Sequence, residues 1–190
     1  KPTVFAVWND WMHEHVSTQF TDKMIEVMGS CPQHTFLVLT KRAHLLEEKL
    51  YEVTKENGCR ELGGGDYLPN LWIGVSVENQ QTADERIPHL LQITGKKFLS
   101  VEPCLGDIDL RKYLASAIGE HYPYKPAFDQ VICGGETGRN ARPCHPDWVR
   151  RLRDQCQSAG VPFFLKSLGK GLSRILDGQT HDSLIWRQNV

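Results

Sequence analysis

The sequence predicts an α/β fold in which β-strands alternate with helices along the chain. Two observations predict it. Short apolar segments recur from one end to the other, and the stretches between them carry apolar residues at helical spacing. Because 190 residues are a usual length for one compact domain, we expect a single domain over residues 1–170, followed by a C-terminal tail over residues 171–190.

Six segments have the length and composition of buried strands. They are Thr3–Val7, Thr35–Leu39, Leu71–Val77, Lys97–Val101, Gln130–Cys133 and Pro162–Leu165.

Four of the intervening stretches place their apolar residues on one side of a helix. They are Thr21–Met28, His44–Val53, Ala83–Ile93 and Trp148–Cys156. The residues that mark helix starts are Ser17 or Thr18, Thr82 and Asp147. The glycines that follow helices, as C-terminal caps do, are Gly58, Gly95 and Gly160.

Buried strands that are separated by helices imply a parallel sheet with right-handed crossovers. An open doubly wound sheet and a partial or complete (β/α) barrel both agree with this order. Polar residues follow every strand, as they do in the active sites of barrel enzymes, and this favours a partial TIM-type barrel. The six polar clusters are Trp8-Asn9-Asp10, Thr40-Lys41-Arg42, Glu78-Asn79-Gln80, Glu102-Pro103, Gly134-Gly135-Glu136-Thr137-Gly138 and Lys166-Ser167.

Composition excludes several classes of protein. The net charge of −1 provides no general attraction to nucleic acid, so any such contact would be local. No apolar run approaches the roughly 20 residues of a membrane helix, and the six cysteines form no Cys-x-x-Cys pair. We therefore expect a cytoplasmic chain with reduced cysteines. The chain opens on strand residues without an initiator Met, so we also expect it to be a fragment.

Two glutamates are the candidate catalytic residues. Glu78 and Glu102 follow neighbouring strands in equivalent places, and a parallel sheet would bring both to the same edge. Two carboxylates there are suited to bind an amine or a metal, or to share acid and base roles. The alternative is a pair of solvated or Arg-paired glutamates.

The candidate ligand-binding residues combine glycine, polar and cationic positions. Gly134, Gly135 and Glu136 belong to a loop that lets the backbone approach a ligand, although a tight turn alone would need the same glycines. Positive charge at the strand ends would suit an anionic substrate such as a nucleotide, whereas each cation taken singly is most simply a solvated surface charge. The remaining candidates are Asn79, Lys41, Arg42, Arg142 and Lys166. Arg139, like Arg142, follows the fifth strand and could supply positive charge to the same edge.

Metal-binding patterns are incomplete. Cys144-His145 and Cys31-Pro32-Gln33-His34 each offer two zinc ligands, and neither completes a set of four. His13 and His15 are candidate ligands or bases, with surface histidines as the alternative. We therefore expect no metal site in this chain.

Several motifs in combination resemble the phage protein Gp thirty-seven/Gp sixty-eight family over nearly the whole chain. The motifs are Phe36-Leu37-Val38-Leu39-Thr40-Lys41-Arg42, Trp72-Ile73-Gly74-Val75-Ser76-Val77-Glu78-Asn79-Gln80, Leu99-Ser100-Val101-Glu102-Pro103, Gly134-Gly135-Glu136-Thr137-Gly138, His145-Pro146-Asp147-Trp148-Val149-Arg150 and Gly160-Val161-Pro162-Phe163-Phe164-Leu165-Lys166.

This resemblance implies a radical-S-adenosylmethionine-like protein. Members carry a Cys-x3-Cys-x2-Cys-like stretch near the N-terminus, whose thiolates would hold a [4Fe–4S] cluster that binds S-adenosylmethionine. This sequence has no such stretch. The resemblance therefore implies that the cluster and S-adenosylmethionine belong to the full-length protein, and we expect this chain alone to be inactive.

The sequence thus supports three hypotheses. The first is the C-terminal portion of a phage-associated radical-S-adenosylmethionine-like barrel with a polar pocket for a nucleotide or nucleic-acid substrate. The second is a non-catalytic binding module for nucleic acid or a host protein. The third is a barrel enzyme that uses Glu78 and Glu102 with or without a divalent metal.

Overall fold

The structure is a computed structural model, and it describes residues 1–7, 9–56, 68–114, 127–171 and 173–185. The predicted cap Gly58, Trp8 of the first polar cluster and Cys59 lie outside the described residues.

Strands and helices alternate as predicted. The strands are β1 (Val4–Val7), β2 (Thr35–Thr40), β3 (Leu71–Val77), β4 (Lys96–Val101), β5 (Gln130–Gly134), β6 (Phe163–Ser167), β7 (Ile175–Leu176) and β8 (Gln179–Thr180). The helices are α1 (Thr18–Gly29), α2 (Leu46–Glu56), α3 (Gln80–Gln92), α4 (Arg111–Leu114) and α5 (Pro146–Ser158). A short 3-10 turn at Ala43–Leu45 precedes α2. Within the described ranges, no helix is long and apolar enough to cross a membrane.

The first six strands form one sheet in the order β1-β2-β3-β4-β5-β6. The pairs β1–β2, β2–β3, β4–β5 and β5–β6 are parallel. Strand order equals chain order and never reverses, whereas a doubly wound sheet contains a switch point where the order reverses. The fold is therefore mixed α/β with a sequentially ordered parallel sheet, which is the order found in part of a (β/α) barrel.

The helix starts differ from the predicted ones at two places. In α3 the Asn79 Oδ1 accepts a hydrogen bond from Thr82 N at 3.0 Å, and the Thr82 hydroxyl accepts one from Asn79 N at 3.2 Å. This reciprocal capping box makes Asn79 the cap and puts Thr82, the predicted start, three residues into the helix. In α5, His145 caps the helix, so Asp147 lies in the first turn.

The chain divides into two compact units. The first comprises residues 1–75 and 86–97. In it the Ser17 side chain caps α1 as predicted, accepting a hydrogen bond from Phe20 N at 3.2 Å. Asn70, buried just before β3, donates to the carbonyl oxygens of Met28 and Cys31 at 2.9 and 3.1 Å. These bonds tie the end of α1 to the start of β3.

The second unit comprises residues 76–85 and 98–189. Here α5 packs on β6, and its apolar side buries Val149, Leu152 and Cys156. The helix has a glycine with left-handed backbone, Gly160 (φ +67°), directly after its C-cap residue, which confirms that predicted cap.

The region predicted as a tail contains the β7–β8 hairpin. Its two turn residues, Asp177 (φ +54°) and Gly178 (φ +77°), have the left-handed backbone of a type I′ turn. The Asp177 carboxylate accepts hydrogen bonds from Arg150 Nε and Arg153 Nη1 on α5, both at 2.8 Å. This turn therefore docks the hairpin against α5.

Candidate functional site

An ion pair between β4 and β6 forms the centre of the candidate site in the second unit. The Lys166 Nζ lies 2.7 Å from Glu102 Oε1, with 60% of the Lys166 side chain and 25% of the Glu102 side chain exposed. Between them on β5 is Gly134, where a Cβ would come within 3.0 Å of Glu102 Oε1. Adjacent strands are about 4.8 Å apart, so the two side chains meet across the space that Gly134 leaves open.

A shift in register positions Lys166. Cys133 pairs with Leu165, but the next residue, Gly134, pairs with Ser167, so Lys166 has no partner on β5. An extra residue of this kind bends a strand and redirects its side chains, and it is common next to functional sites. Lys166, the residue without a partner, is also the one whose ammonium lies beside Glu102.

The segment after β4 is tied to both neighbouring strands. Cys104 N donates to the Gly134 carbonyl oxygen, and Leu105 N donates to the Glu78 carbonyl oxygen, each at 2.8 Å. The Glu102–Pro103 peptide bond is cis. These bonds bring the backbones that carry Glu78, Glu102 and Gly134 together at the C-terminal ends of their strands, as the sequence predicts.

Asn79 and Glu78 have different surroundings. The Asn79 side chain caps α3, so its Oδ1 is engaged in the scaffold. Glu78 is half-buried, and its charge contributes, after the larger effect of Glu136, to raising the pKa of Arg142. Glu78 therefore lies within electrostatic range of Arg142.

Gly135 joins the loops that follow β5 and β6. A Cβ at this position would lie 2.5 Å from the Leu168 carbonyl oxygen. The Gly135 N donates to Ser167 O at 2.9 Å, and Lys170 N donates to Glu136 O at 3.1 Å. Only glycine allows this close approach of the two backbones.

Hydrogen bonds between Glu136 and Arg142 join the two ends of the loop that runs from residue 136 to residue 142. The Glu136 carboxylate accepts hydrogen bonds from Arg142 N, Nε and Nη2 at 2.7, 3.0 and 2.9 Å. These bonds, first those of the side chain and then that of the backbone, lower the pKa of Glu136 to about 2. The Arg142 side chain stays 61% exposed, so the loop presents an oriented guanidinium to solvent.

Lys41 and Arg42 belong to the first unit. The Arg42 Nη1 donates to Asp10 Oδ2 at 2.6 Å, and its Nε donates to Glu14 at 3.1 Å. Burial acts to raise the pKa of Asp10, but hydrogen bonds from the Thr40 hydroxyl and Arg42 outweigh it, and the pKa is lowered. Asp10 therefore holds Thr40 and Arg42 together through hydrogen bonds. The sequence indicates Asp10 only as part of a polar cluster, without a specific role.

Three cysteines that are distant in sequence come together. The Cys104 thiol hydrogen-bonds with those of Cys133 and Cys144; the bond to Cys133, followed by burial, raises the pKa of Cys104 to about 12. The bond to Cys104, followed by burial, raises the pKa of Cys144. The thiols of Cys104 and Cys144 are therefore protonated at neutral pH and are poor nucleophiles.

Two of the candidate zinc ligands, Cys144 and His145, have other structural partners. His145 is exposed and its Nδ1 accepts from Asp147 N at 3.2 Å, while Cys144 is buried. The five cysteines that the structure describes, Cys31, Cys104, Cys133, Cys144 and Cys156, are free. In the part of the chain that is described, no three His, Cys, Asp or Glu side chains are grouped so that they would hold a metal ion.

Comparison with known proteins gives one match. No curated protein and no solved structure matches the chain. The family described as "Protein of unknown function (DUF5131)" matches residues 2–187. Because this match covers almost the whole sequence, the chain belongs to the DUF5131 family.

Proposed function

We propose that this chain binds an anionic substrate, a nucleotide or nucleic acid, at the C-terminal ends of β4, β5 and β6. Lys166 and Arg142 would contact the phosphate, and Glu102 would hold Lys166 in place. The single observation that carries the proposal is the Glu102–Lys166 pair, formed over Gly134 at an irregular position of β6.

The Glu102–Lys166 ion pair adds little to the stability of the fold and leaves Lys166 able to bind a ligand. A pair with a largely exposed lysine contributes about 0–1 kcal/mol to folding, because water screens the attraction. An ammonium group has three donors, and Glu102 Oε1 takes one of them. The remaining donors are available to phosphate oxygens, while the carboxylate limits the orientations that Lys166 samples.

Arg142 offers a second contact of the same kind. Its Nε and Nη2 are bound to Glu136, which orients the guanidinium plane. Arg142 lies on the loop after β5, and Lys170, on the loop after β6, hydrogen-bonds through its backbone to Glu136. A planar, charged donor of this type favours phosphate oxygens.

The resemblance to radical-S-adenosylmethionine-like proteins suggests a larger setting for this site. We propose that the chain is the C-terminal portion of a TIM-type barrel of a phage-associated, cytoplasmic protein, and that it is inactive alone. A [4Fe–4S] cluster would supply the means to cleave S-adenosylmethionine in such a protein.

Binding of a labelled single-stranded oligonucleotide tests the proposal. Fluorescence anisotropy would be measured for the full chain, for Lys166→Met and for Arg111→Met. Arg111 is the matched control, an exposed cation 2.6 Å from the Asp109 carboxylate. We expect Lys166→Met to weaken binding about tenfold and to reduce the salt dependence by roughly one phosphate contact, with Arg111→Met close to wild type. Equal effects of both substitutions, or no saturable binding, would contradict the proposal.

A further inference from the structure

A row of side chains lies on the same face of the sheet as the ion pair, one layer below it. Ser100 on β4, Ile132 on β5 and Phe164 on β6 are paired in register. The Glu102 side chain lies against the Cβ position of Gly134, and Ile132 precedes Gly134 by two residues on β5, where alternate residues point to the same face. Register partners on parallel strands share a face, so Phe164 belongs to this row. Ile132 and Phe164 are here called the apolar floor.

The apolar floor is accessible to solvent, in contrast to its sequence neighbours. On β5, Ile132 is half-buried whereas Val131 and Cys133 are fully buried. On β6, Phe164 is half-buried whereas Phe163 and Leu165 are fully buried. The buried residues alternate with the floor residues, so they point to the opposite face, which packs in the core. A partly exposed apolar surface beneath a charged pair has the composition of a ligand site.

A further cation borders the floor. The Arg174 Cζ lies 5.1 Å from the centre of the Phe164 ring, and Arg174 Nη2 lies 2.5 Å from Asp182 Oδ1. The Arg174 side chain is 49% exposed. The Arg174 guanidinium therefore lies over part of the Phe164 ring and adds a positive charge beside the floor.

We propose that the ligand of this site is a nucleotide whose base lies on Ile132 and Phe164 while its phosphate reaches Lys166. This inference rests on the proposed anion site and adds the class of ligand to it. A bare phosphate or a sugar phosphate would leave the apolar floor in water. Adjacent strands are about 4.8 Å apart, so the two floor residues together match the width of a planar heterocyclic base.

Three compounds distinguish the contribution of the base to binding from that of the phosphate. Isothermal titration calorimetry would compare AMP, ribose 5-phosphate and adenosine on the full chain. We expect AMP to bind about tenfold more tightly than ribose 5-phosphate, because stacking of a base on an apolar side chain adds affinity. Equal affinities of AMP and ribose 5-phosphate would overturn the inference.

Substitution of Ile132 or Phe164, the two residues of the apolar floor, provides a second experiment. Ile132→Ala should lower the affinity for AMP about tenfold and leave that for ribose 5-phosphate unchanged. The matched control is Ile175→Ala, because Ile175 is an isoleucine on β7 with 50% exposure and lies outside the floor. If Ile132→Ala does not fold, Phe164→Leu keeps an apolar side chain, removes the aromatic ring and should lower the affinity for AMP alone.

The two proposals fail in different ways. Loss of ribose 5-phosphate binding in Lys166→Met, together with unchanged AMP binding in both floor variants, would retain the anion site and reject the nucleotide. Binding of adenosine that is sensitive to Ile132→Ala, without any binding of ribose 5-phosphate, would support the floor and reject the anion site. Absence of binding by all three probes would overturn both.

Discussion

Gly134 and Gly135 are adjacent glycines that the structure needs for different reasons. A Cβ at Gly134 would meet the end of the flexible Glu102 side chain, whereas a Cβ at Gly135 would meet the Leu168 backbone at 2.5 Å. We expect Gly135→Ala to destabilise the fold by about 1–3 kcal/mol, because two backbones must separate. Gly134→Ala should cost less than about 1 kcal/mol and move Glu102 away from Lys166.

Urea denaturation of both variants measures these differences. Gly138→Ala is the control, since no atom lies within 4 Å of its Cβ position, and its stability should be close to wild type. A loss of stability in Gly134→Ala as large as that in Gly135→Ala would show that Glu102 cannot move. Glu102 would then be a structural residue.

The exposure of Lys166 allows a role of Glu102 in ligand binding to be distinguished from a role in stability. Replacement by Gln keeps the size of the side chain and removes its charge. Because Lys166 is 60% exposed, it would regain water, and we expect Glu102→Gln to cost less than about 1 kcal/mol of stability. Affinity for a phosphate ligand should fall about tenfold, or about 1.4 kcal/mol. Thermal melts with and without AMP test this, and a large loss of stability with an unchanged ligand response would contradict it.

The Glu136–Arg142 contact should be visible in a pH titration. A carboxyl whose pKa is lowered in the folded state stabilises that state above its unfolded pKa, and the contribution is lost as the pH falls through the folded pKa. For Glu136 this window runs from about 4.5 down to about 2. We expect NMR titration of the Glu136 carboxyl to give a pKa near 2, and Arg142→Gln to return it towards 4.5. An unchanged pKa in the variant would exclude Arg142 as the cause.

For individual residues, the sequence predicts which side chains lie at the strand ends better than it predicts which of them are in contact. Glu102 and Lys166 were both predicted at strand ends, because polar residues after apolar strands are visible in the sequence. Their pairing was not predicted, since it joins strands that are distant in sequence, and such a contact has no local signal. The Cys104, Cys133 and Cys144 contact was missed for the same reason.

Among the elements, strands were predicted more accurately than helix ends. The six segments predicted as strands are β1–β6 to within about two residues, because continuous apolar runs such as Leu71–Val77 are buried at every position. Helix α3 begins earlier than predicted because Asn79, which is also a predicted ligand-binding residue, caps it. The β7–β8 hairpin was missed because two-residue strands carry no periodicity.

Gln130 fixes the C-terminal segment to β5. This fully buried side chain donates through Nε2 to Ser183 O at 2.8 Å and to Pro162 O at 3.1 Å, and its Oε1 accepts from Ile185 N at 3.2 Å. We expect Gln130→Leu to lose about 1–3 kcal/mol of stability, since buried backbone groups lose their partners. Hydrogen exchange at the Ile185 amide should also accelerate.

Chemical denaturation and hydrogen exchange check this prediction together. Gln157→Leu is a suitable control, because Gln157 is an exposed residue of α5. Its stability and the exchange of Ile185 should match wild type. Unchanged protection of Ile185 in Gln130→Leu would mean that other contacts hold this segment.

For the whole molecule, the alternation of strands and helices was sufficient to predict the class of fold. The sequence left a doubly wound sheet and a partial barrel open, because alternation alone does not determine strand order. The order β1-β2-β3-β4-β5-β6 decides against the doubly wound sheet. A parallel sheet places all strand C-termini on one edge, and this is why the sequence could place Glu78, Glu102 and Gly134 near one another.

The most direct test of the anion site is a map of where a ligand binds. Amide ¹H–¹⁵N spectra of the full chain would be recorded during titration with ribose 5-phosphate. The proposed site requires saturable shifts at Gly134, Gly135 and Lys166, at the C-terminal ends of β5 and β6. Saturable shifts confined to the opposite ends of the strands, at residues such as Phe98 and Phe163, would contradict the site.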